Sequence, residues 1–390
     1  GMRVLGVRRS PRGDEPCETR PLAAFDALLP ETDFLVLAAP GCSEADDPGP
    51  DDGQPGTAEP GYLIQTVIDG LPGPTQLAWH PDGRLLIALL GEGGEGSETG
   101  RIVAVDLSPA ATEGATRRPE PEVLVNGLDT PTGLAVAGDT LWIMERTRLV
   151  TAPLAGGPTT VVRDDLPNNG RSNGSLTVLD DGRLLFDTSG RQTDGLAEEG
   201  SGVLWSLDPT NPDAAEVPVL VGMKHAYAAV EDGRGGLLVT EIGDGRYDGE
   251  RPPDEVVVVT DLADGEPVAD GGWPQCIGDR VPVIEHGGSS ERCADALSSL
   301  TLFEPGATPT GIAVAPWDDT RAVVALWVPG DLVEIPIEPG RGPDDVPVEG
   351  TAVATGLAGP QHLLVDRDRL LVSAHRQGAV LAVDGSKQEG

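Results

Sequence analysis

From residue 61 onward the chain alternates short apolar runs with polar turns, and the alternation recurs six times. In each copy a turn carrying Gly or Pro leads into an apolar run, a polar turn with Asp or Gly follows, and a second apolar run closes the pair. Gly70-Leu71-Pro72-Gly73-Pro74 leads into Q-L-A-W-H-P-D-G-R-L-L-I-A, and Gly127-Leu128-Asp129-Thr130-Pro131 into T-G-L-A-V-A-G-D-T-L-W-I-M-E. Leu166-Pro167-Asn168-Asn169-Gly170 precedes S-L-T-V-L-D-D-G-R-L-L-F-D, and Gly222-Met223-Lys224-His225 precedes A-Y-A-A-V-E-D-G-R-G-G-L-L-V-T-E. The fifth copy starts at Pro305-Gly306-Ala307-Thr308-Pro309 and the sixth at Gly356-Leu357-Ala358-Gly359-Pro360. Runs of this length bounded by Gly and Pro are strands, and most copies add a third: R-I-V-A-V-D at 101–106, V-L-W-S-L-D at 203–208 and A-V-L-A-V-D at 379–384.

Strand–turn–strand–turn–strand units recurring every ~40 to 80 residues predict an all-β fold, a six-bladed β-propeller, in preference to two stacked sandwiches. Radial repetition also disposes of the exposed sheet edges that so many strands would otherwise present. Tyr62 to Ile68 is apolar enough to supply the outer strand of the last blade and close the ring. The first strand of each blade lies innermost, so the turn before it faces the axis. Thr75–Gln76, Asp129–Thr132, Asn169–Asn173, Lys224–His225, Thr308–Thr310 and Gln361–His362 are therefore expected around one mouth, the default ligand site of such a ring.

The first 60 residues read differently. Thirteen of the eighteen residues at 43–60 are Asp, Glu, Pro or Gly, which predicts a disordered acidic linker. The expected domains are thus a head at 1–42, the linker at 43–60 and the propeller at 61–390. In the head, Met2–Val7 and Phe34–Ala38 read as short strands and Ala23–Leu29 as a turn or two of helix. These segments resemble part of the nucleotide-binding domain of D-2-hydroxyacid dehydrogenases. The G-x-G-x-x-G loop that seats a pyrophosphate is missing, so no nicotinamide binding is expected. The same stretch also resembles a degenerate lipoprotein signal, with Gly41-Cys42 before the acidic linker and Cys42 as candidate lipid anchor.

Charge narrows the partners. Lys plus Arg is 27 against 64 Asp plus Glu, a net charge of −37, which excludes a basic nucleic-acid footprint. No apolar run is long enough for a transmembrane helix. Gly at 53 and Pro at 36 suit a turn-rich β fold. Of the four cysteines, Cys276 and Cys293 share one Gly-rich loop; a disulfide closing it is the favoured reading over two buried thiols, and would imply an oxidising compartment. The expected location is extracellular or periplasmic, free or lipid-anchored.

The hinge turns, together with E-I-G-D-G-R-Y-D-G-E-R-P-P-D-E-V-V-V-V at 241–259 and G-G-W-P-Q-C at 271–276, resemble the glucose/sorbosone dehydrogenase family over residues 61–385. The resemblance implies a six-bladed propeller that oxidises a sugar or related aldehyde using pyrroloquinoline quinone (PQQ) and calcium. It places calcium on the carbonyls of Gly249 and Glu250, with Asp254, Asp244 and Asp248 nearby. The family's catalytic base is a His in a pattern like H-x-x-G-x-L, and the matching stretch here starts at Arg171, which stays protonated and cannot act as an ordinary base. His225 and His362, in the fourth and sixth hinges, are the candidate replacements. Arg171 and Lys224, with Arg376, are candidate partners for the PQQ carboxylates, and Asn169, Asn173, Asp129 and Gln361 complete the expected cofactor-binding set. His80, His286 and His375 are read as structural or exposed, Trp273 as packing and Trp327 as a candidate cavity wall. Two other functions fit the pattern: a non-catalytic propeller binding a carbohydrate or partner, which the Arg at position 171 favours, and a calcium-dependent lactonase or esterase.

Overall fold

The computed structural model describes residues 5–8, 18–21, 56–93, 96–108, 120–260, 268–337 and 345–385. The chain divides into two units, residues 1–50 and 51–390. In the first, Leu5–Arg8 pairs in parallel with Glu18–Pro21. The expected helix at 23–29, the strand at 34–38 and Cys42 lie outside the described residues. The expected linker does not persist to residue 60: Thr57–Ala58 is a strand paired with Thr351–Thr355, and Glu59 donates its N–H to Val353 O at 2.9 Å.

The second unit is a six-bladed β-propeller of four- and five-stranded sheets. Blade one runs Pro74–Trp79, Leu85–Leu89, Gly100–Val105 and Glu122–Leu128 from the axis outward. Blade two starts at Gly133–Ala137, blade three at Thr177–Val178, blade four at Ala226–Glu231, blade five at Pro309–Val314 and blade six at Pro360–Asp366. Each of these inner strands neighbours the next, and the sixth neighbours the first, so the ring is closed. Closure is sealed by Tyr62–Ile68, which pairs antiparallel with Ala379–Gly385 as the outer strand of blade six.

The core lies between blades. Six apolar clusters each bridge two neighbouring blades; Leu86, Ile102 and Val125 of blade one meet Leu134, Leu141 and Val150 of blade two in one of them. A middle strand is thereby covered on both faces, which is why Leu85–Leu89 is continuously apolar and continuously buried instead of alternating. Leu, Val and Ala fill most of these interfaces, in keeping with a chain that is only 3% aromatic.

Near the axis the blades are stitched by hydrogen bonds. Thr75 Oγ1 donates to Pro131 O at 2.7 Å, Thr132 Oγ1 to Asn173 O at 2.8 Å and Thr177 Oγ1 to Ala229 O at 2.7 Å. Asp254 of blade four accepts Thr308 N–H at 2.7 Å, Thr310 Oγ1 donates to Pro360 O at 2.7 Å, and Ser373 Oγ returns to Thr75 O. Gln76 ties three blades at once: its carboxamide oxygen accepts Leu134 N–H and Leu176 N–H at 2.7 and 2.9 Å, and its Nε2 donates to Leu176 O at 2.6 Å. Because those backbone groups of Leu176 go to a side chain, the inner strand of blade three is reduced to two residues. Thr75, Gln76, Thr132 and Thr310 thus hold the ring together.

His362 follows Gln361 on the same strand and faces the other way, as alternation requires. It lies against Leu77 N–H at 3.4 Å, and burial pushes its pKa down to about 3. A His with a depressed folded pKa stabilises fully above the unfolded value of about 6.5 and loses that stabilisation as pH falls toward the folded value. His362→Gln, which keeps a hydrogen-bonding side chain, is therefore expected to lower the melting temperature at pH 7 only modestly and to shrink the drop between pH 7 and pH 4. Gln76→Ala strands three buried backbone groups at ~1–3 kcal/mol each; urea denaturation should show a loss of several kcal/mol with two-state behaviour retained.

Candidate active site at the hinge-turn mouth

One mouth of the ring is built from two sets of loops. Five of the six hinge turns accept a backbone N–H from the loop linking the second and third strands of their own blade or of a neighbouring blade. Gly73 O accepts Leu90 N–H, Asp129 O accepts Arg146 N–H and Lys224 O accepts Gly190 N–H; Thr308 O accepts Trp327 N–H and Gly359 O accepts His375 N–H. In blades two, three and four a carboxylate at the end of the second strand also grips that blade's hinge. Glu145 accepts Asp129 N–H at 2.7 Å, Asp187 accepts Gly174 N–H at 2.5 Å, and Glu241 accepts Lys224 N–H.

At blades three and four this produces a buried polar chamber. His225 is 3% exposed and Asp187 1%, and His225 Nε2 stands 3.3 Å from Asp187 Oδ2. Neither atom has a well-aligned hydrogen bond. The His225 ring packs edge-on against Tyr227 at 5.0 Å, and Tyr227 OH accepts the Gln361 carboxamide from blade six. The turn 168–174 closes over Asp187. Asn173 Oδ1 accepts both Ser189 N–H and Ser189 Oγ–H at 3.1 Å, while Asn169 N–H donates to Ser189 Oγ at 3.0 Å. Asn169 Nδ2, Ser172 Oγ and Asn173 Nδ2 are buried with no partner. Unpaired buried polar atoms are costly, and three of them in one turn beside a buried ion pair mark a candidate site that something polar could complete.

Lys224 stands next to His225 in the fourth hinge, and Arg171 lies in the turn over Asp187. Lys224 Nζ donates to Gly190 O at 2.7 Å and lies 5.2 Å over the Trp273 ring. Burial lowers its pKa, with Arg171 adding to that and Asp244 and Glu241 opposing it. Arg171 reaches Asp244 at 3.6 Å. Arg376 lies 5.2 Å over Trp327, whose ring also meets His375 at 5.1 Å. Asp129 faces Arg146 at 3.5 Å. A narrow pocket beside Lys224 is walled by Tyr247, Pro252, Pro253, Trp273 and Ile277, with Glu241 and Glu255 at its base. Burial, then the neighbouring Glu255, raises Glu241 well above the usual carboxylate range. The wall carrying Trp273 is stapled by the Cys276–Cys293 disulfide, and Trp273 Nε1 donates to Tyr247 OH at 2.7 Å.

The loop expected to carry calcium is already engaged. Gly249 O accepts the Arg246 guanidinium at 3.0 Å, and Glu250 O accepts Tyr247 N–H at 2.8 Å. The Asp254 carboxylate receives Gly243 N–H on one oxygen and Thr308 N–H on the other, each at 2.7 Å. Burial pushes its pKa up to about 6 against the pull of those two N–H groups. With these oxygens spent on internal hydrogen bonds, the loop presents no open set of calcium ligands as it stands. Among the described residues, no group of three or more His, Cys, Asp or Glu side chains stands together at ligating range.

The structure brings Arg171, Asn169, Asn173, Lys224 and His225 together around one chamber, and Asp129 stands in the second hinge of the same mouth. It does not bring in His362, which faces the blade interface, and it commits Gln361 to Tyr227. Asp187, Ser189 and Glu241 were missed in the sequence. Their signal was present: L-L-F-D and L-L-V-T-E each place an acid at the end of an otherwise apolar middle strand.

No family model matches the sequence, and no curated protein matches it. Solved structures do match. A calcium structure of a carbohydrate-active enzyme of family AA12 from Trichoderma reesei superposes with a TM-score of 0.68 at 15% identity, covering 85% of this chain and 98% of that one. The holo form of the pyranose dehydrogenase PQQ domain from Coprinopsis cinerea gives 0.63 at 16% identity, covering 84% and 96%. The PQQ-bound aldose sugar dehydrogenase of Streptomyces coelicolor gives 0.61 at 18% identity, covering 84% and 99%. Residues 61–385, whose hinges and 241–276 segment resemble the glucose/sorbosone dehydrogenases, thus carry the six-bladed fold of PQQ-binding sugar dehydrogenases.

Proposed function

We propose that the chain oxidises a sugar or related aldehyde at the hinge-turn mouth, with PQQ as electron acceptor and His225 as base. The observation that carries this reading is the His225–Asp187 pair: a buried imidazole nitrogen 3.3 Å from a buried carboxylate oxygen, neither of which has another partner among the described residues. Oxidation at the anomeric carbon of an aldose removes two electrons, a hydrogen and the hydroxyl proton, and leaves a lactone. Asp187 holds the hydrogen on His225 Nε2, so the opposite ring nitrogen, Nδ1, takes the hydroxyl proton, and the resulting imidazolium is stabilised by Asp187, as in other His–Asp pairs. PQQ, when bound, supplies the two-electron acceptor. Its carboxylates match Lys224 and Arg376, and the Asn169 and Asn173 amides offer donors to its oxygens. No step is routed through calcium, because the 249–254 loop does not fit it.

One observation favours the non-catalytic reading: Arg171 stands where the resembling family carries its base. That reading predicts ligand binding with no turnover. The hydrolase reading needs axial carboxylates free to hold a metal, and Asp129, its best candidate, faces Arg146.

Titration with PQQ followed by dye reduction on a panel of aldoses tests the proposal. His225→Ala is expected to lower kcat by ~10²–10⁴-fold, the range for loss of a general base, while PQQ affinity stays within a few-fold. Asp187→Asn should lower kcat, because the imidazolium loses its counter-charge. PQQ binding with turnover insensitive to His225 would remove the assignment. Treatment with a chelator should leave both the melting temperature and PQQ binding unchanged; a calcium-dependent rise in either would reverse the reading of the 249–254 loop.

A further inference from the structure

We propose that Trp273 is a positioning residue of the mouth, and that the disulfide-closed loop carrying it serves to hold the Lys224 ammonium where an anionic ligand meets it. That the ligand is PQQ rests on the reading above; the positioning claim stands on the contacts of Trp273 and Lys224. Lysine is rare in this chain. Of its 27 Lys and Arg residues only Lys224 and Lys387 are lysines, and Lys387 lies outside the described residues. A lysine head sits on a flexible four-carbon stem, and holding it in one place costs rotamer entropy. Here neighbours hold it. Lys224 Nζ donates to Gly190 O at 2.7 Å, Gly190 N–H returns to Lys224 O at 2.6 Å, and the Trp273 ring lies 5.2 Å from the ammonium. An ammonium has three donors, so two N–H groups remain after Gly190.

The loop that brings Trp273 here departs from the pattern of the ring. In blades two and three the third strand turns directly into the fourth, Leu149–Pro153 into Thr160–Arg163 and Val203–Leu207 into Val217–Val221. Antiparallel alternation puts those turns on the face opposite the hinges. Blade four leaves its third strand at Thr260 and begins its fourth only at Ser299. In between, Ala269–Asp270 runs parallel beside Val217–Val221 as a fifth strand of blade three, and so climbs to the mouth. There Gly271 N–H donates to Val221 O at 2.9 Å and Trp273 N–H to Gly222 O at 2.8 Å, which ties the loop to the start of the fourth hinge.

The indole is fixed at its other end too. Its Nε1 donates to Tyr247 OH at 2.7 Å, and that hydroxyl donates to Asp244 O at 3.1 Å. Trp273 is 4% exposed and forms a small apolar cluster with Tyr247 and Val283, apart from the six clusters between blades. Gly190 permits the close approach: a Cβ there would stand 2.8 Å from the Trp273 ring and 2.9 Å from Lys224 O. The Cys276–Cys293 disulfide and the Arg292–Asp270 ion pair at 2.8 Å close the loop where it has little core of its own. The ring face under the ammonium then favours its charge and orients its free N–H groups.

The test reads Lys224 directly, because the full chain has one other lysine. The intact protein is trace-labelled with acetic anhydride, and acetylation of Lys224 relative to Lys387 is followed by peptide mass spectrometry. Trp273→Leu is expected to raise that ratio by roughly fivefold or more, and Trp273→Phe, which keeps a ring under the ammonium, by less than about twofold. Replacing both Cys276 and Cys293 by Ser should raise it severalfold. PQQ titration supplies the second readout. Trp273→Leu and Lys224→Met should each weaken binding about tenfold, and the double variant no further, because the two act as one unit. An unchanged labelling ratio in Trp273→Leu, or losses that add in the double variant, would overturn the proposal. If Trp273→Leu does not fold, Tyr247→Phe, which only unties the indole N–H, should still raise the ratio about twofold, and no change there would equally overturn it. A raised ratio with PQQ affinity untouched by Lys224→Met would leave the positioning standing and remove Lys224 from the PQQ site; loss of PQQ binding in Lys224→Met with Trp273→Leu silent in both readouts would do the reverse.

Discussion

The inner strands of this ring are covered on both sides, and a buried backbone group that cannot reach water needs a partner. Ladder bonds satisfy most of them, but where one blade's inner strand meets the next hinge there is no ladder to join. The chain answers with side chains. Thr75, Thr132, Thr177, Thr310 and Ser373 supply hydroxyls, Gln76 a carboxamide, and Asp254 a carboxylate. Propeller closure depends on this belt, and so does the mouth, because the same hinges that the belt anchors are the ones that carry Lys224, His225 and the Asn169–Asn173 turn.

A second device refines those hinges. Glu145, Asp187 and Glu241 occupy the same topological position in blades two to four and grip the hinge backbone from below. In blade three the grip uses only one carboxylate oxygen. The other is left facing His225. Exclusion of water from this place strengthens the interaction between the two groups and makes an orphaned nitrogen at His225 expensive to keep without a function.

Charge follows the same economy of placement. The surface is strongly acidic, and Arg171, Lys224 and Arg376 stand at the mouth among Asp129, Asp187, Glu241 and Asp244. Two of them lie on Trp rings, which hold a cation in place while leaving its hydrogen-bonding edge free.

Fold class, blade number, the closing strand Tyr62–Ile68 and the Cys276–Cys293 disulfide could all be read from the sequence. Periodicity and turn residues are local, and a middle strand buried on both faces writes itself as an unbroken apolar run. The six hinges were legible for the same reason, and with them the neighbourhood of Arg171, Lys224 and His225. The sequence did not decide which way each hinge residue points. Gln361 and His362 are adjacent and equally polar; the strand's alternation sends one to Tyr227 and the other into the blade interface. Gly249, Glu250 and Asp254 have the composition of a calcium loop, yet Arg246 and two backbone N–H groups from distant turns occupy their oxygens. Asp187 was invisible as a partner for His225 because 38 residues and a blade boundary separate them. Local pattern determined the architecture; only the closure of the ring determined which buried polar atoms would meet and which would be left without a partner.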